Sequence, residues 1–166
     1  MSARPRKELR IEDLTALCDS REQLPLDLSP LKVERASLPT GDYSLKGLEH
    51  VIAVERKSLQ DLLMCIGRER DRFEREIQRL LAYPCRAIFV ETSQTEFKAG
   101  AWRSKVSVKA AEASLYSWMG KGVPIWFAGT AHECGLSVAR FMYLEARRRW
   151  RELQGLTASL KIVGGE

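Results

Sequence analysis

The stretch Val51-Ile52-Ala53-Val54-Glu55-Arg56-Lys57-Ser58 constrains the fold more than any other part of the chain. A short β-branched apolar run reads as a buried strand, and this one ends in three successive charges. Side chains alternate along a strand, so Glu55 and Lys57 share one face and Arg56 takes the other. Charges at the lip of a buried strand are costly unless they pair or hold something. Ser58-Leu59-Gln60-Asp61 fits a capping box with Ser58 at the N-cap and Asp61 at N3, so a helix starts at once. Upstream, Pro39-Thr40-Gly41-Asp42 is a turn by its residue types and offers a second carboxylate.

The remaining segments arrange themselves around that strand. Leu14 to Cys18 reads as a short strand ending in the charged turn Asp19-Ser20-Arg21-Glu22, and Leu24 to Pro30 as a loop. Leu31 to Leu38 alternates weakly, as a strand does. Tyr43 to Leu45 and His50 to Lys57 pair as a hairpin across Lys46-Gly47. Phe73, Ile77, Leu80 and Leu81 recur at helical spacing over Asp71 to Ala82, and Pro84 stops that helix. Arg86 to Glu91 is a buried-strand run, and Thr92 to Ser107 a long polar connection. A helix over Val108 to Met119 closes at Gly120-Lys121-Gly122. Val123 to Ala128 is a strand whose Pro124 places it near a sheet edge. Ala131 to about Leu153 is a long helix. The order predicts an α/β fold, a mixed sheet with helices packed on it. One domain is expected over residues 13–153, between flexible ends at 1–12 and 154–166.

Composition narrows the function classes. The 166 residues carry a formal charge of +5, which suits a polyanionic partner. No apolar run reaches the roughly 18 residues of a membrane span, and the N-terminus has no apolar h-region, so neither a membrane protein nor a secreted one is expected. Cys18, Cys65, Cys85 and Cys134 lie far apart, as reduced structural thiols in an intracellular protein do. His50 and His132 are too few for a zinc site.

Asp42, Glu55 and Lys57 form the pattern with chemical content. Two carboxylates can hold magnesium, which keeps most of its waters, and a neighbouring ammonium can stabilise a phosphate in hydrolysis. The carbonyl of Arg56 is a further oxygen donor. The alternative is a surface salt bridge at a strand end. Asp19 and Glu22 either crowd the same site or cap a turn. Arg68, Arg70, Arg72 and Arg75 alternate with Glu69, Asp71, Glu74 and Glu76, as a solvated helix face does. Lys98-Ala-Gly-Ala-Trp102-Arg103-Ser-Lys105 differs: it sets an aromatic among cations, which suits a phosphate backbone and a stacked base, although Trp102 equally suits an anchor for the loop. Arg147, Arg148, Arg149 and Arg151 read as a second basic patch or as complement to a helix C-terminus.

Asp19-x-Arg21-Glu22, Gly41-Asp42-Tyr43 and Val54-Glu55-Arg56-Lys57-x-x-x-Asp61 together resemble the signature of the XPF-type nuclease domain, a branch of the PD-(D/E)XK nuclease superfamily. That signature is written G-D-x(n)-E-R-K-x-x-x-D. The interval from Asp42 to Glu55 is longer than usual in the family, and the hairpin at Lys46-Gly47-Leu48 takes up the extra residues. The resemblance continues through Arg68, Arg72-Phe73, Arg79-Leu80, the strand to Val90-Glu91 and Gly122-Val123-Pro124-Ile125. It implies a restriction-endonuclease-like core and cleavage of branched or duplex DNA with Mg²⁺ or Mn²⁺ and without a nucleotide cofactor. It further implies that Asp42, Glu55 and Asp19 are metal ligands and Lys57 the catalytic lysine. Glu22, Arg56 and Asp61 join the site, Arg56 by binding a phosphate or by tying the site to Asp61. Arg21, Arg68, Lys98, Trp102, Arg103 and Lys105 are the expected DNA contacts. The family's dimers suggest a homodimer or heterodimer through the last two helices, with Leu115, Trp118, Phe141 and Tyr143 either as contacts or as core. Neither a tandem helix-hairpin-helix module nor a helicase domain is legible, so a free-standing nuclease domain is expected. A non-catalytic DNA-binding module and an exonuclease are the alternatives on this fold.

Overall fold

The computed structural model describes residues 8–160. Six strands form one mixed sheet: β1 (Thr15–Asp19), β2 (Lys32–Ala36), β3 (Tyr43–Leu45), β4 (Ile52–Ser58), β5 (Cys85–Glu91) and β6 (Ile125–Phe127). Their spatial order is β2-β1-β3-β4-β5-β6. The β1–β3 and β3–β4 pairs are antiparallel, and β1–β2, β4–β5 and β5–β6 are parallel. The helices are α1 (Leu59–Ile66), α2 (Arg70–Leu81), α3 (Gln94–Ala99), α4 (Val108–Gly120) and α5 (Ala131–Ser159). The expected α/β architecture is therefore present.

Strand alternation divides the core in two. Ile52 and Val54 of β4 pack on one face with Met142, Val138 and the loop residues Leu26 and Leu28. Ala53 packs on the other with Phe73, Ile77 and Leu80 of α2, Leu62 of α1 and Trp118 of α4. β4 is buried on both faces, which is why its sequence is a continuous apolar run. Trp118 and Leu115 are core residues, and Phe73 meets Trp118 edge-on at 4.9 Å. Phe141 packs on Phe89, and the Tyr143 hydroxyl donates to the Leu9 carbonyl. All four residues named as dimer contacts or core thus make contacts within one chain. The four cysteines are unpaired and buried.

Several expectations shift. The connection from Thr92 to Ser107 contains α3, opened by a capping box between Ser93 and Glu96 and closed by Gly100 in the left-handed region. Ser93-Gln94-Thr95-Glu96 has the spacing of that capping box in the sequence itself. The strand expected over Val123 to Ala128 shortens to β6, at the edge that Pro124 suggested. Residues 11–13 form a single 3-10 turn, with Leu9 and Ile11 against the core, so the frayed start does not extend that far. The rest of the expected flexible N-terminus, residues 1–7, lies outside the described residues. α5 runs to Ser159, past the expected end at Leu153, and residues 161–166 lie outside the described residues. The arginines of α5 are therefore internal to the helix and not its C-terminal complement. Arg148 and Arg149 pair with Glu145 at 2.7 Å, while Arg147 and Arg151 lie near Glu8.

One glycine fixes the turn before β3. Gly41 has φ +79°, and a Cβ there would lie 2.8 Å from the Val54 carbonyl. Gly41→Ala should cost about 2 kcal/mol of folding stability, combining left-handed strain with that clash. Urea denaturation measures this, and an unchanged midpoint would contradict it.

Candidate active site

The strand ends bring the acids together. The Asp19 N–H donates to the Asp42 carbonyl at 2.8 Å, and the Asp42 N–H to the Val54 carbonyl at 2.7 Å. Asp42 is thereby fixed between the ends of β1 and β4. Its carboxylate accepts from the Arg56 N–H at 2.8 Å, continuing the antiparallel ladder where the β3 backbone has ended. The Arg56 carbonyl lies on the same strand edge as that N–H.

Glu55 and Lys57 lie on one face of β4, as alternation requires, and pair at 2.7 Å. Both face α2. The Lys57 ammonium sits 5.1 Å above the Phe73 ring and 3.8 Å from the Glu76 carboxylate. Glu55 is 8% exposed. Burial raises the Glu55 pKa, and the adjacent ammonium does not fully offset this. Burial pulls the Lys57 pKa down, but Glu55 outweighs it and the net direction is up, so the lysine stays charged. Asp42 is pushed up to about 7, by burial first and then by the Glu55 charge.

Asp42, Glu55, Lys57, Asp61, Asp19, Arg21 and Glu22 all line one cleft of about 690 Å³. Asp19 is 2% exposed and differs from the other acids. It accepts from the Arg21 Nε at 2.7 Å, from the Arg21 N–H at 2.9 Å and from the Leu38 N–H at 2.8 Å. The Arg21 hydrogen bond is the main reason its pKa falls to about 2, against the opposing effect of burial. Asp19 braces the cleft wall with its oxygens already engaged. Among the described residues, no three His, Cys, Asp or Glu side chains are grouped so as to hold a metal ion by themselves. The pair Asp42 and Glu55 still fits magnesium, which binds through one or two carboxylates, keeps several waters and takes substrate phosphate as a further ligand. Two desolvated acids with raised pKa values are the donor chemistry that a hard cation stabilises.

Arg56 leaves the cleft. It crosses to the opposite face, where it binds Glu91, the Leu24 carbonyl at 3.0 Å and Glu22 at 3.5 Å. The tie expected from Arg56 to Asp61 is not formed, because alternation points the two side chains apart. Asp61 accepts from the Ser58 hydroxyl at 2.7 Å, and its N–H donates back to Ser58 at 3.1 Å. The cap is present, with the Asp61 carboxylate taking the Ser58 hydroxyl.

Arg72, Glu76 and Arg79 of α2 also line the cleft, although the sequence placed this helix's charges on a solvated face. Each precedes a buried position, Phe73, Ile77 or Leu80, so these residues form the flank of the apolar stripe. That offset was the available signal. One Glu76 oxygen is buried without a hydrogen-bond partner. Of the expected DNA contacts, Arg68, Trp102, Arg103 and Lys105 meet in a separate groove beside α1. Lys98 lines a different cavity, near α4 and β6. Trp102 is an anchor: its indole N–H donates to the Val106 carbonyl at 2.7 Å, and its ring centroid lies 5.7 Å from that of Phe97.

The family model of the ERCC4 domain matches residues 8–141. No curated protein sequence matches this chain significantly. Among solved structures the fold is similar to that of XPF from Aeropyrum pernix, with a TM-score of 0.65, 20% identity and coverage of 80% of this chain and 62% of that one. It is similar also to XPF from Aeropyrum pernix in complex with DNA, with a TM-score of 0.61, 20% identity and coverage of 81% and 66%. This chain thus spans just under two thirds of those chains. The family model takes in the glycine–aspartate turn, the Glu-Arg-Lys strand end and the two helices that wall the cleft, and the chain belongs to the ERCC4 domain family.

Proposed function

We propose that this chain is a Mg²⁺- or Mn²⁺-dependent DNA endonuclease that hydrolyses phosphodiester bonds at flaps, forks or junctions, in repair or recombination inside the cell. The observation that carries the reading is the single cleft in which two desolvated carboxylates and a charged lysine meet at one end of the sheet. Asp42 and Glu55 are the residues to hold the cation, with the Arg56 carbonyl beside them and Asp19 as the outer acid. When bound, such an ion supplies Lewis-acid charge at the scissile phosphate.

The chain's own groups do the rest. Lys57 is held as an ammonium by Glu55 and Glu76 over the Phe73 ring, so it serves as a fixed positive charge and not as a base. A preorganised cation in a site that excludes water stabilises a phosphate whose negative charge grows. Asp42, with its pKa near 7, is poised to lose its proton when positive charge arrives. Arg56 and Glu91 fasten the strand ends from the far face, Glu22 reaches Arg56 from the cleft, and Asp61 fixes the start of α1 at the cleft wall. Arg21, Arg72 and Arg79 line the cleft, each beside an acid, and offset part of its negative charge where the DNA enters.

A second copy of the chain is the proposed protein partner, docking on β6 and α4. Trp126 is 60% and Tyr116 65% exposed there, beside the sheet edge at β6, which no other strand among the described residues pairs with. Exposed aromatics at an uncovered edge are the composition of an interface. Sedimentation at micromolar concentration should show a dimer that Trp126→Lys converts to a monomer. A monomeric wild-type chain would refute this contact.

Lys57→Ala should slow cleavage of flap or fork DNA by about a thousandfold while DNA affinity stays within a few-fold, since the lost charge acts on the transition state. Single-turnover cleavage in Mg²⁺, with EDTA as blank, measures this. An unchanged rate would remove the lysine from the reaction. Binding without product in any metal would favour a DNA-binding module, and end-dependent release of mononucleotides an exonuclease.

A further inference from the structure

Beyond the cleft, α1 has a second groove on its other side. Asp61 faces the cleft, whereas Leu59, Gln60, Leu63, Met64 and Arg68 line the groove together with the segment from Trp102 to Val106. Its volume, about 990 Å³, is at the upper end for ligand sites. Its walls are apolar and its charges are all positive: Arg68, Arg103 and Lys105, with no acid in the lining. The arginines of α2 give the contrast. Arg70, Arg72 and Arg79 each face a glutamate, whereas Arg68, Arg103 and Lys105 pair with no carboxylate among the described residues. The outer wall is fixed in place by the Trp102 indole on the Val106 carbonyl and by the Val106 N–H on the Ser104 hydroxyl at 3.2 Å.

We infer that this groove holds an unpaired nucleotide of the DNA strand leaving the cleft, its base against the Met64 and Trp102 side and its phosphates on Arg68, Arg103 and Lys105. The inference rests on the reading of the cleft as a DNA-cutting site and adds to it a separate subsite for one unpaired nucleotide beyond the cut. Charge complementarity selects a polyanion. The apolar floor selects one whose bases are free to stack, because bases paired inside a duplex cannot reach it. α1 is the wall common to both sites, so a strand passing over it reaches the groove within a short distance of the cut.

Fluorescence anisotropy in EDTA tests this without cleavage, using three labelled probes: a blunt duplex, the same duplex with a short single-stranded arm, and one whose arm carries abasic residues. The wild-type chain should bind the natural arm about tenfold more tightly than the abasic one. Met64→Asp, or the milder Met64→Ser, should abolish that difference and leave the blunt duplex within twofold. Arg103→Gln with Lys105→Gln should weaken natural and abasic arms alike and lower the salt dependence. If Met64→Asp loses its cooperative thermal transition, Met64→Ser decides. Equal affinity for natural and abasic arms, or a base preference that survives a folded Met64→Ser, overturns the inference. A chain that prefers the natural arm but cuts no DNA in Mg²⁺ keeps the groove and refutes the nuclease reading. One that cuts DNA without base preference does the reverse.

Discussion

The contact between Lys57 and Glu55 at the tip of β4 sets the terms for everything around it. Two opposite charges are held where water is largely excluded. Breaking such a pair by removing one partner typically costs about 3–5 kcal/mol, because the other charge is left buried alone. α2 completes the enclosure: Phe73 lies beneath the ammonium and Glu76 stands to its side. Asp42 has no basic side chain within pairing distance among the described residues, and accepts a backbone N–H from Arg56. Burial next to Glu55 then makes its proton hard to lose. The site holds two carboxyl groups, Asp42 and Glu55, with one fixed ammonium beside them, and a divalent cation and a phosphodiester are the two species that suit those halves.

The opposite face of the same strand serves a structural purpose. Arg56 ties β4 to Glu91 at the end of β5 and to the loop at Leu24 and Glu22. Successive residues of one strand therefore divide the work, the odd positions facing the cleft and the even one locking the strand ends. Asp19 belongs to the brace as much as to the cleft, since Arg21 and Leu38 occupy its oxygens.

Much of this was readable in the chain. Alternation alone separates Glu55 and Lys57 from Arg56, and the turn chemistry of Pro39 to Asp42 places a carboxylate at the neighbouring strand. Ser58 and Asp61 announce α1. What could not be read was the product of tertiary placement. Glu76 and its arginine neighbours look like any solvated helix face until α2 is laid across the tip of β4. Lys98 is close in sequence to Arg103 and Lys105, yet α3 and Gly100 turn the chain between them and send the lysine to another cavity. Trp118 and Leu115 were ambiguous because core and interface residues have the same composition, and only packing against Phe73 decides. α5 runs beyond the expected end because its cluster of arginines, which resembles a helix terminus, lies inside the helix, where Glu145 and Glu152 pair with Arg148.

The central claim is that Asp42 and Glu55 form a divalent-cation site whose acids are held back from ionising by burial. Calorimetric titration with Mn²⁺ between pH 8 and pH 5.5 tests it directly. Metal binding requires the carboxylate form, so affinity should fall as pH drops below the Asp42 value of about 7, by up to about tenfold per unit for one displaced proton. Asp42→Asn should abolish binding. Affinity that is flat across this range, or that survives in a folded Asp42→Asn chain, would contradict the account.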